Sequence, residues 1–495
     1  MPSFGGYRPS QEAVCPLHFL SEGGESGLAL LRLFNSLGRE LQDFRPIEPD
    51  GVRIYNCGPT VWNYAHVGNF RTFVFYDVLR RHLKLKGYKV TSIMNITDVE
   101  DKIIRGIRET GRSREELTVF YTAAFLEDLA SLNVERIEAM PRATDHLAEI
   151  LGLIRRLMDR GYAYRASDGS VYFDVSKFEA YGALSGVKLD ALRPAGRVSS
   201  DHYEEKREAA DFALWKAWDA DDGEVFWDTP LGKGRPGWSI ECSAMSMKYL
   251  GESFDIHTGG MDLKFPHHEN EIAQAEAATG KKFVNYWLHS EFLNVRGEEM
   301  HKSKGNFVTL RELRDQGWHP LTVRAFLLSA RYRDQMDLTE AALAQARAQR
   351  SRLQELVARL RGVKGGRKEV PAAVDGFAAG FEAAMDDDLD TPRALAAMLT
   401  FTKDANSMVD SGEMGEAGAR AALDALRKAD SVLGIVDFGE EELEPELAAL
   451  LKEREGARRR KDFAESDRLR ARLLAAGVEV EDTPQGTRWK RARRG

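Results

Sequence analysis

The chain carries, in three separate segments, two cysteines and a histidine–glutamate pair, which are side chains of the kinds that bind zinc. Cys57 precedes a Gly-Pro-Thr turn, and Cys242 lies in the segment GWSIECSAM. His267 and Glu271 are four residues apart at the start of a predicted helix, so they share one helix face. Ligands scattered in this way suit a metal at an active site better than one that folds a small module. Buried free cysteines and a polar helix start would explain the same residues without a metal.

A second group of residues suits phosphate binding. The segment TVWNYAHVGN joins a predicted strand to a predicted helix. Backbone N–H groups and the dipole at a helix start favour a bound phosphate, and His66 adds a donor for charge that develops during phosphate transfer. Gly68 allows the backbone to approach a ring or a phosphate closely. Taken alone, His66 also fits a structural histidine in a turn.

A third segment, EEMHKSKGNF at 298–307, carries a lysine on either side of a serine. Ammonium groups bind phosphates as point charges, so Lys302, Ser303 and Lys304 suit a phosphate-binding loop. A solvated basic loop is the alternative. Together with His66, this loop predicts the two sides of one ATP site.

The elements that must position these residues are those of a parallel sheet. Residues 52–57 alternate as a strand, helical spacing of apolar residues predicts a helix over 69–86, and a second strand is predicted over 89–96. Strand, helix and strand in this order form a βαβ unit, which implies a parallel sheet with helices on its faces. Ligands of such sheets bind at the carboxyl ends of the strands, where Cys57 lies.

The remaining chain is predicted to divide into several parts. Residues 1–29 lack a sustained period and are interpreted as a flexible extension. Residues from about 100 to 165 look mainly helical, residues 162–201 form a Gly-punctuated insertion, and α/β character returns over 211–306. Helical patterns dominate beyond Leu310, and the last part of the chain holds a basic helix. A chain of 495 residues is long enough for about three domains.

Composition limits the classes of protein to which the chain can belong. Apolar residues make up 43% and charged residues 30%, as in a soluble globular protein. The net charge of −8 argues against an overall cationic coat but allows a local basic face. The apolar runs are too short for a membrane span, the N-terminus lacks a secretory signal, and the three cysteines cannot form a disulfide framework. We therefore expect a cytoplasmic protein with no membrane association.

Eight segments of the chain form a recognisable set: CGPTVWNYAHVGNFRTFV, NITDVEDKII, ADFALWKAW, GRPGWSIECSAMSMKYLG, DIHTGGMDLKFPHHENEIAQ, HKSKGNF, AMDDDLDTPRAL and EDTPQGTRW. Together they closely resemble the cysteinyl-tRNA synthetase family of class I aminoacyl-tRNA synthetases, in family order from about Leu31 to Trp489. The CGPTV, IECSAM and FPHHENE blocks are specific to cysteine activation.

The resemblance implies an α/β fold with a Rossmann-like catalytic domain split by a connective insertion, then a helical bundle and a small C-terminal anticodon-binding domain. The implied boundaries are 1–29 for the extension, 30–135 and 211–310 for the catalytic halves, 136–210 for the insertion, 311–435 for the stem-contact region and helical bundle, and 436–495 for the last domain.

The resemblance also implies roles for individual residues. His66 and Asn69 match the HIGH signature, here with Asn in the last position, and Met300, Lys302 and Ser303 match the KMSKS signature. The implied catalytic residues are His66, Asn69, Lys302 and Ser303. The implied zinc ligands are Cys57, Cys242, His267 and Glu271, and His268 is the neighbour most easily confused with His267. The implied ATP contacts are His66, Gly68, Asn69, Gly260, Asp262, Met300 and Lys302. The implied cysteine-binding residues are Thr97 and Trp238, with Cys57 and Cys242.

Two positions depart from the family pattern. Glu299 stands where the KMSKS-type loop usually has its first lysine, and His301 stands where it has serine. We expect Lys302, helped by Lys304, to hold the pyrophosphate, and we expect activation to be slower than in a variant with Lys at 299.

The implied reaction is activation of L-cysteine by ATP to cysteinyl-adenylate, followed by transfer to the terminal adenosine of tRNA(Cys). One zinc ion per subunit is expected to bind the substrate thiolate, which a neutral serine hydroxyl cannot imitate, so no editing domain is required. Mg²⁺ is expected with ATP, and the protein is expected to be a monomer. Basic residues around an aromatic suit tRNA phosphates and a stacked base, and the expected tRNA contacts are Arg460, Arg488, Trp489 and Lys490.

Two other functions fit part of these features. A paralogous cysteine ligase of mycothiol synthesis would share the HIGH, KMSKS and zinc residues but would join cysteine to an amino sugar. The long C-terminal part with its basic tail disfavours that function, because a small acceptor needs no anticodon domain. A non-enzymatic tRNA-binding protein of synthetase origin is supported only by Glu299 and is opposed by His66, Lys302 and the four metal-ligand types.

Overall fold

The computed structural model describes residues 30–188, 206–300, 306–439, 445–483 and 486–491. The predicted extension at 1–29 therefore lies outside the described residues. The first elements in chain order are β1 (Arg32–Asn35), β2 (Glu40–Asp43), β3 (Gly51–Asn56), α1 (Val67–Leu85), β4 (Lys89–Met94), α2 (Asp101–Thr110), α3 (Arg114–Ser131) and α4 (Leu147–Asp159).

The middle of the chain contains the strands of a second sheet and the rest of the first. These elements are β5 (Ala163–Arg165), β6 (Val171–Phe173), β7 (Phe212–Ala217), β8 (Trp227–Thr229), β9 (Gly232–Pro236), α5 (Trp238–Leu250), β10 (Phe254–Gly260), α6 (Glu269–Thr279) and β11 (Val284–Ser290).

The last part of the chain is mainly helical, as expected. Its elements are β12 (Leu293–Val295), β13 (Glu298–Glu299), α7 (Leu310–Asp315), α8 (Pro320–Leu327), β14 (Met336–Leu338), α9 (Glu340–Arg361), α10 (Ala372–Met385), α11 (Thr391–Asp410), α12 (Glu416–Leu433), α13 (Pro445–Arg459), α14 (Phe463–Ala475), β15 (Val478–Thr483) and β16 (Gly486–Arg491). None of the described helices is both long and apolar enough to span a membrane.

The centre of the fold is a four-stranded parallel sheet in the order β11–β10–β3–β4. The predicted α/β class is confirmed, and β3, α1 and β4 form the expected βαβ unit. The strand order reverses between β3 and β10, because β4 lies beside β3 while β11 lies beside β10. Such a reversal opens a crevice at the carboxyl ends of the two strands, where ligands bind in α/β proteins.

The helix α1 packs on this sheet with most of its residues buried. Phe70, Val74 and Leu79 are among its fully buried side chains, so the spacing that predicted the helix is the spacing of its buried face. The helix ends at Leu85, and Gly87 follows with a φ of +93°, a conformation that favours glycine. Gly87 therefore marks the end of the helix that leads away from the predicted phosphate-binding turn.

A five-stranded antiparallel sheet in the order β5–β6–β7–β9–β8 lies between β4 and β10 along the chain. It corresponds in position to the expected insertion. Strand β7 pairs with both β6 and β9, so the sheet continues to Pro236, beyond residue 210, where the sequence suggests that the insertion ends. The pairing partners of β7 cannot be read from local patterns, because β6 lies on the other side of a long connection.

Buried polar contacts join the C-terminal helices to α1. Arg324 of α8 is fully buried, and its Nη2 lies 2.6 Å from Oδ2 of Asp77 on α1. Nearer the end of α1, Nε2 of His82 lies 2.8 Å from Oδ1 of Asp386. Loss of one partner from a buried ion pair is strongly destabilising, so these contacts hold the helical region against the catalytic part.

Candidate active site

The expected site residues gather at the carboxyl edge of the parallel sheet. Cys57 follows β3, Thr97 lies three residues after β4, and Gly260 ends β10. The backbone N–H of Cys57 donates to the carbonyl of Thr258 (3.0 Å), and that of Thr97 donates to the carbonyl of Pro59 (3.1 Å). The segments that leave three neighbouring strands are therefore tied together at the crevice.

The four expected metal ligands lie in one buried cluster. One ligand atom from each of Cys57, Cys242, His267 and Glu271 lies within 4.8 Å of all the others. Their exposed fractions are 5%, 1%, 1% and 0%. Four donors about 2.0–2.3 Å from a tetrahedral zinc ion are roughly 3.3–3.8 Å apart, so a small contraction of this cluster would seat the ion. Two sulfurs, an imidazole and a carboxylate are also a chemically suitable donor set for zinc.

Contacts outside the cluster orient two of these side chains. Nδ1 of His267 lies 3.1 Å from the hydroxyl of Ser239, so Nε2 faces Glu271, whose Oε1 is 3.2 Å away. The other carboxylate oxygen of Glu271 lies 2.9 Å from Nε2 of His257. The ring of His257 in turn stacks on Trp287 with centroids 4.5 Å apart. Partners of this kind fix the tautomer and direction of metal ligands.

His268 offers a second, overlapping donor set. Cys57, His257, His268 and Glu271 also have ligand atoms within 4.8 Å of one another. Nε2 of His268 lies 3.2 Å from Sγ of Cys57, and its Nδ1 lies 2.8 Å from Nε2 of His289. Sequence reasoning named His268 as a competitor of His267 but missed His257 and His289, which lie on β10 and β11.

Burial sets the protonation of this cluster when no cation is bound. Burial raises the pKa of the Cys57 thiol and of the Glu271 carboxyl, and it lowers the pKa of the His267 imidazole. The hydrogen bond from Cys57 is the main cause of a lowered pKa at Cys242. A divalent cation would stabilise the thiolates and the carboxylate that burial otherwise disfavours.

His66 and Asn69 form a reciprocal cap at the start of α1. Nδ1 of His66 accepts a hydrogen bond from the backbone N–H of Asn69 (3.2 Å), and Oδ1 of Asn69 accepts one from the backbone N–H of His66 (3.1 Å). Because Nδ1 accepts, the proton of the neutral ring lies on Nε2, which makes that atom a donor. Burial lowers the pKa of His66 to about 4, so the ring is neutral at pH 7.

The turn at His66 lies against the segment that carries the expected phosphate-binding loop. A Cβ placed on Gly68 would come within 2.7 Å of Cε of Met300, so a larger residue at 68 would require the methionine side chain to shift. The backbone N–H of Val67 donates to the carbonyl of Val308 (2.9 Å). Lys302, Ser303 and His301 lie outside the described residues, as does the side chain of Glu299.

Three more expected residues line the crevice. The indole of Trp238 lies over the imidazole of His267, with ring centroids 4.1 Å apart, and it is 37% exposed. Thr97 is buried, and its hydroxyl accepts a hydrogen bond from Asn95. Asp262 lies two residues after Gly260, the last residue of β10, and is exposed to solvent.

The expected tRNA contacts lie far along the chain in a small C-terminal unit. Arg460 is exposed just after α13, and Trp489 on β16 packs partly buried against a core that includes Leu473 and Val480. Trp489 is therefore in part a core residue of this unit. Arg488 and Lys490 flank it on the same strand.

Comparisons with known proteins agree over most of the chain, from residue 43 to residue 489. A model described as the catalytic domain of class I (C) tRNA synthetases matches residues 43–348. A DALR domain matches residues 380–437, and a cysteinyl-tRNA ligase anticodon-binding domain matches residues 440–489.

Curated relatives are similar over nearly their full length. The cysteine–tRNA ligase of Koribacter versatilis is 43% identical, in an alignment that covers 93% of this chain and 99% of the relative. The cysteine–tRNA ligase of Chlamydia muridarum is 44% identical with the same coverage of 93% and 99%.

Among solved structures, Mycobacterium tuberculosis methionyl-tRNA synthetase in complex with methionyl-adenylate aligns with a TM-score of 0.59 and 17% identity. The alignment covers 78% of this chain and 92% of that chain, and at this identity it supports the fold alone. The fold, the three matched domains and the relatives agree: the chain belongs to the cysteine–tRNA ligase family of class I aminoacyl-tRNA synthetases.

Proposed function

We propose that the buried cluster of Cys57, Cys242, His267 and Glu271 holds one zinc ion that selects the amino acid in cysteine–tRNA ligation. The chain is a cysteine–tRNA ligase, which activates L-cysteine with ATP and transfers it to the 3′-terminal adenosine of tRNA(Cys). The observation that carries the zinc proposal is the convergence of four buried donor atoms, from three distant parts of the sequence, at the carboxyl edge of the sheet.

The need for a metal follows from the substrate. Cysteine and serine differ by one atom, and a pocket that reads shape alone rejects such a near-isostere weakly. A zinc ion supplies a position that binds a soft thiolate and discriminates against a neutral hydroxyl. Trp238 covers His267, with ring centroids 4.1 Å apart, and Thr97 lies on the neighbouring segment. On this basis we propose that both residues bound the space for the substrate.

The chain's own residues orient the donor set. The hydroxyl of Ser239 is hydrogen-bonded to Nδ1 of His267, and Nε2 of His257 is hydrogen-bonded to Oε2 of Glu271. The remaining atoms, Nε2 and Oε1, are then directed towards each other at 3.2 Å. We propose that these partners keep His267, not His268, in the ligand set.

For the ATP site, we propose that activation depends on positioning and charge stabilisation. The amino-acid carboxylate attacks the α-phosphorus, and little acid–base chemistry is needed. Nε2 of neutral His66 donates to a phosphate oxygen, and the N-terminal dipole of α1 adds to this attraction. Asn69 holds the ring of His66 through the reciprocal cap.

The opposite side of the ATP site is assigned to the KMSKS-type loop. Met300 packs against Gly68, and we propose that Lys302 and Ser303 bind the leaving pyrophosphate together with Mg²⁺. Gly260 and Asp262, at the end of β10, are proposed to contact the ribose.

The C-terminal part is proposed to bind tRNA(Cys). We assign the contacts with tRNA phosphates to the exposed Arg460 and to Arg488 and Lys490 on β16. The contact with an unpaired base is assigned to Trp489, which lies between the last two on the same strand. The domain boundaries implied by the resemblance are kept as proposals, with the antiparallel insertion extended to Pro236. The amino-sugar ligase is not favoured, because an anticodon-binding domain matches residues 440–489.

The experiment that tests this function combines metal content with substrate choice. Purified full-length protein should contain one zinc per chain, catalyse ATP–pyrophosphate exchange with cysteine, and acylate tRNA(Cys). Exchange with serine should be weaker by orders of magnitude. A metal-free protein that still distinguishes cysteine from serine would contradict the zinc proposal, and acylation of an amino sugar in place of tRNA would contradict the assigned acceptor.

A further inference from the structure

Arg71 lies in the second turn of α1 and is almost completely buried, with 2% of its surface exposed. Its guanidinium donates four hydrogen bonds to backbone carbonyls. Nη1 donates to the carbonyls of Glu291 (3.1 Å) and Phe292 (2.6 Å), and Nη2 donates to those of Arg331 (3.0 Å) and Asp334. The side chain of Arg71 is therefore hydrogen-bonded to carbonyls of two segments that are distant in sequence.

Both segments lead directly into the strands that support the KMSKS-type loop. Glu291 and Phe292 immediately precede β12, and residues 331–334 end one residue short of the start of β14. Strand β12 pairs in parallel with β14 and antiparallel with β13, which ends one residue before Met300. The guanidinium is thus hydrogen-bonded to the segments that enter β12 and β14, the strands of the small sheet from which this loop extends.

A second contact reinforces the same junction. The hydroxyl of Thr72 lies 2.6 Å from the hydroxyl of Ser290, the last residue of β11. Arg71 and Thr72 are consecutive residues near the start of α1. Through them the helix is hydrogen-bonded to the end of β11 and to the two residues that connect β11 to β12. His66, which caps the same helix, lies only five residues before Arg71.

Ion pairing does not explain this burial. Within the described residues, no carboxylate oxygen lies within 4.0 Å of the Arg71 guanidinium, so its hydrogen-bond partners are neutral carbonyls. Burial lowers the pKa of Arg71 to about 10, which leaves it charged at pH 7. The planar fork of arginine can serve four acceptors at once, whereas a lysine ammonium has three donors at a single point.

We infer that Arg71 is a positioning residue that sets the distance between the His66 end of α1 and the β12–β13 hairpin. This inference rests on the proposed ATP site, in which phosphates are bound between the His66 turn and the KMSKS-type loop. Such a site depends on the separation of its two sides, since a misplacement of about 1 Å can lower a rate by about a hundredfold.

The chain offers a matched control on the same helix. Arg81 is also buried, at 8% exposure, and it also donates to backbone carbonyls, those of Asn133 and Ser431. Unlike Arg71, it also pairs with a carboxylate, since its Nε lies 2.8 Å from Oδ2 of Asp77. Its partners belong to the junction with the helical region and not to the segments beside the loop. A lysine at 81 should therefore cost stability without changing the ATP site.

The test measures steady-state ATP–pyrophosphate exchange and thermal unfolding of full-length wild type, Arg71→Lys and Arg81→Lys. For Arg71→Lys we expect kcat/KM for ATP to fall about ten- to a hundredfold, with the KM for cysteine within about twofold of wild type. For Arg81→Lys we expect a lower Tm and both KM values near wild type. A merely structural role of Arg71 would lower the Tm and the active fraction of both variants alike and leave the KM for ATP unchanged.

The inference is overturned if Arg71→Lys keeps the wild-type kcat/KM for ATP, or if both lysine variants lower it equally. If Arg71→Lys does not fold, Thr72→Val removes the neighbouring contact to Ser290 without removing a charge. That variant should raise the KM for ATP more than the KM for cysteine, and equal values in Thr72→Val and wild type would overturn the inference. Absence of cysteine-dependent exchange in wild type would instead refute the proposed function.

Discussion

The imidazole of His66 accepts a hydrogen bond from the backbone N–H of Asn69, and the side chain of Asn69 accepts one from the backbone N–H of His66. The asparagine in the last position of the HIGH signature is thus half of a capping box. The cap fixes Nδ1 as an acceptor and leaves the ring proton on Nε2, the nitrogen assigned to ATP.

Asn69→Ala should weaken both the helix and the ATP site. The variant loses the bond that Asn69 accepts, so the free energy of unfolding should decrease by about 1 kcal/mol. The KM for ATP should rise several-fold because the ring of His66 is less firmly held, while the KM for cysteine should not change. Urea unfolding and pyrophosphate exchange measure the two effects. A fully wild-type KM for ATP would show that the cap has no part in binding.

The protonation of His66 predicts a dependence of stability on pH. Its pKa is about 4 in the folded protein, because burial lowers it from 6.5. Between these values the unfolded chain binds a proton that the folded chain does not, so stability should be full above pH 6.5 and should decrease towards pH 4. His66→Asn retains a capping side chain but lacks the imidazole that titrates. Between pH 6.5 and pH 4, the variant should therefore lose up to about 3 kcal/mol less free energy of unfolding than wild type. Urea unfolding at several pH values measures the slopes, and equal slopes in the two proteins would contradict the assignment.

The two overlapping donor sets predict different effects of neighbouring histidines on zinc content. His267→Gln should release most of the zinc, because His267 is held by Ser239 in the direction of Glu271. His268→Gln should retain close to one zinc per chain, since Nδ1 of His268 is engaged by His289. Elemental analysis after dialysis distinguishes the two variants. The reverse pattern would assign the ion to the set that contains His257 and His268.

Removal of the C-terminal unit should separate the two half-reactions. Residues to Val436 belong to the helical region, since Asp430 accepts hydrogen bonds from the backbone N–H groups of Ile435 (2.8 Å) and Val436 (3.1 Å). Truncation after Gly439 therefore leaves that region intact, whereas truncation after Leu433 does not. Pyrophosphate exchange should remain within about twofold of wild type, and acylation of tRNA(Cys) should fall by at least about tenfold as phosphate contacts are lost. An equal loss of both activities would contradict the anticodon-binding assignment.

Local periodicity was sufficient to predict the βαβ unit. The strand at 52–57, the helix at 69–86 and the strand at 89–96 correspond to β3, α1 and β4. These elements are predictable because each buries one continuous face, which repeats in the sequence with the period of the element.

Contacts between distant elements were not predictable from local patterns. His257 and His289 enter the cluster because β10 and β11 pair in parallel, with His257 opposite Trp287 and Gly259 opposite His289. That register depends on the packing of the whole sheet. The same reason explains β7, whose pairing extends the antiparallel sheet past residue 210, where the resemblance implied that the insertion ends.

Cys242→Ser tests the role of the metal in selecting cysteine most directly, with Cys15→Ser as the control at the third cysteine of the sequence. Zinc content and the kcat/KM values for cysteine and serine should be measured together. We predict that Cys242→Ser loses zinc, raises the KM for cysteine at least about tenfold and prefers cysteine less strongly, with the KM for ATP unchanged. Cys15→Ser should match wild type. A zinc-free Cys242→Ser protein with the wild-type KM for cysteine and undiminished rejection of serine would contradict the account.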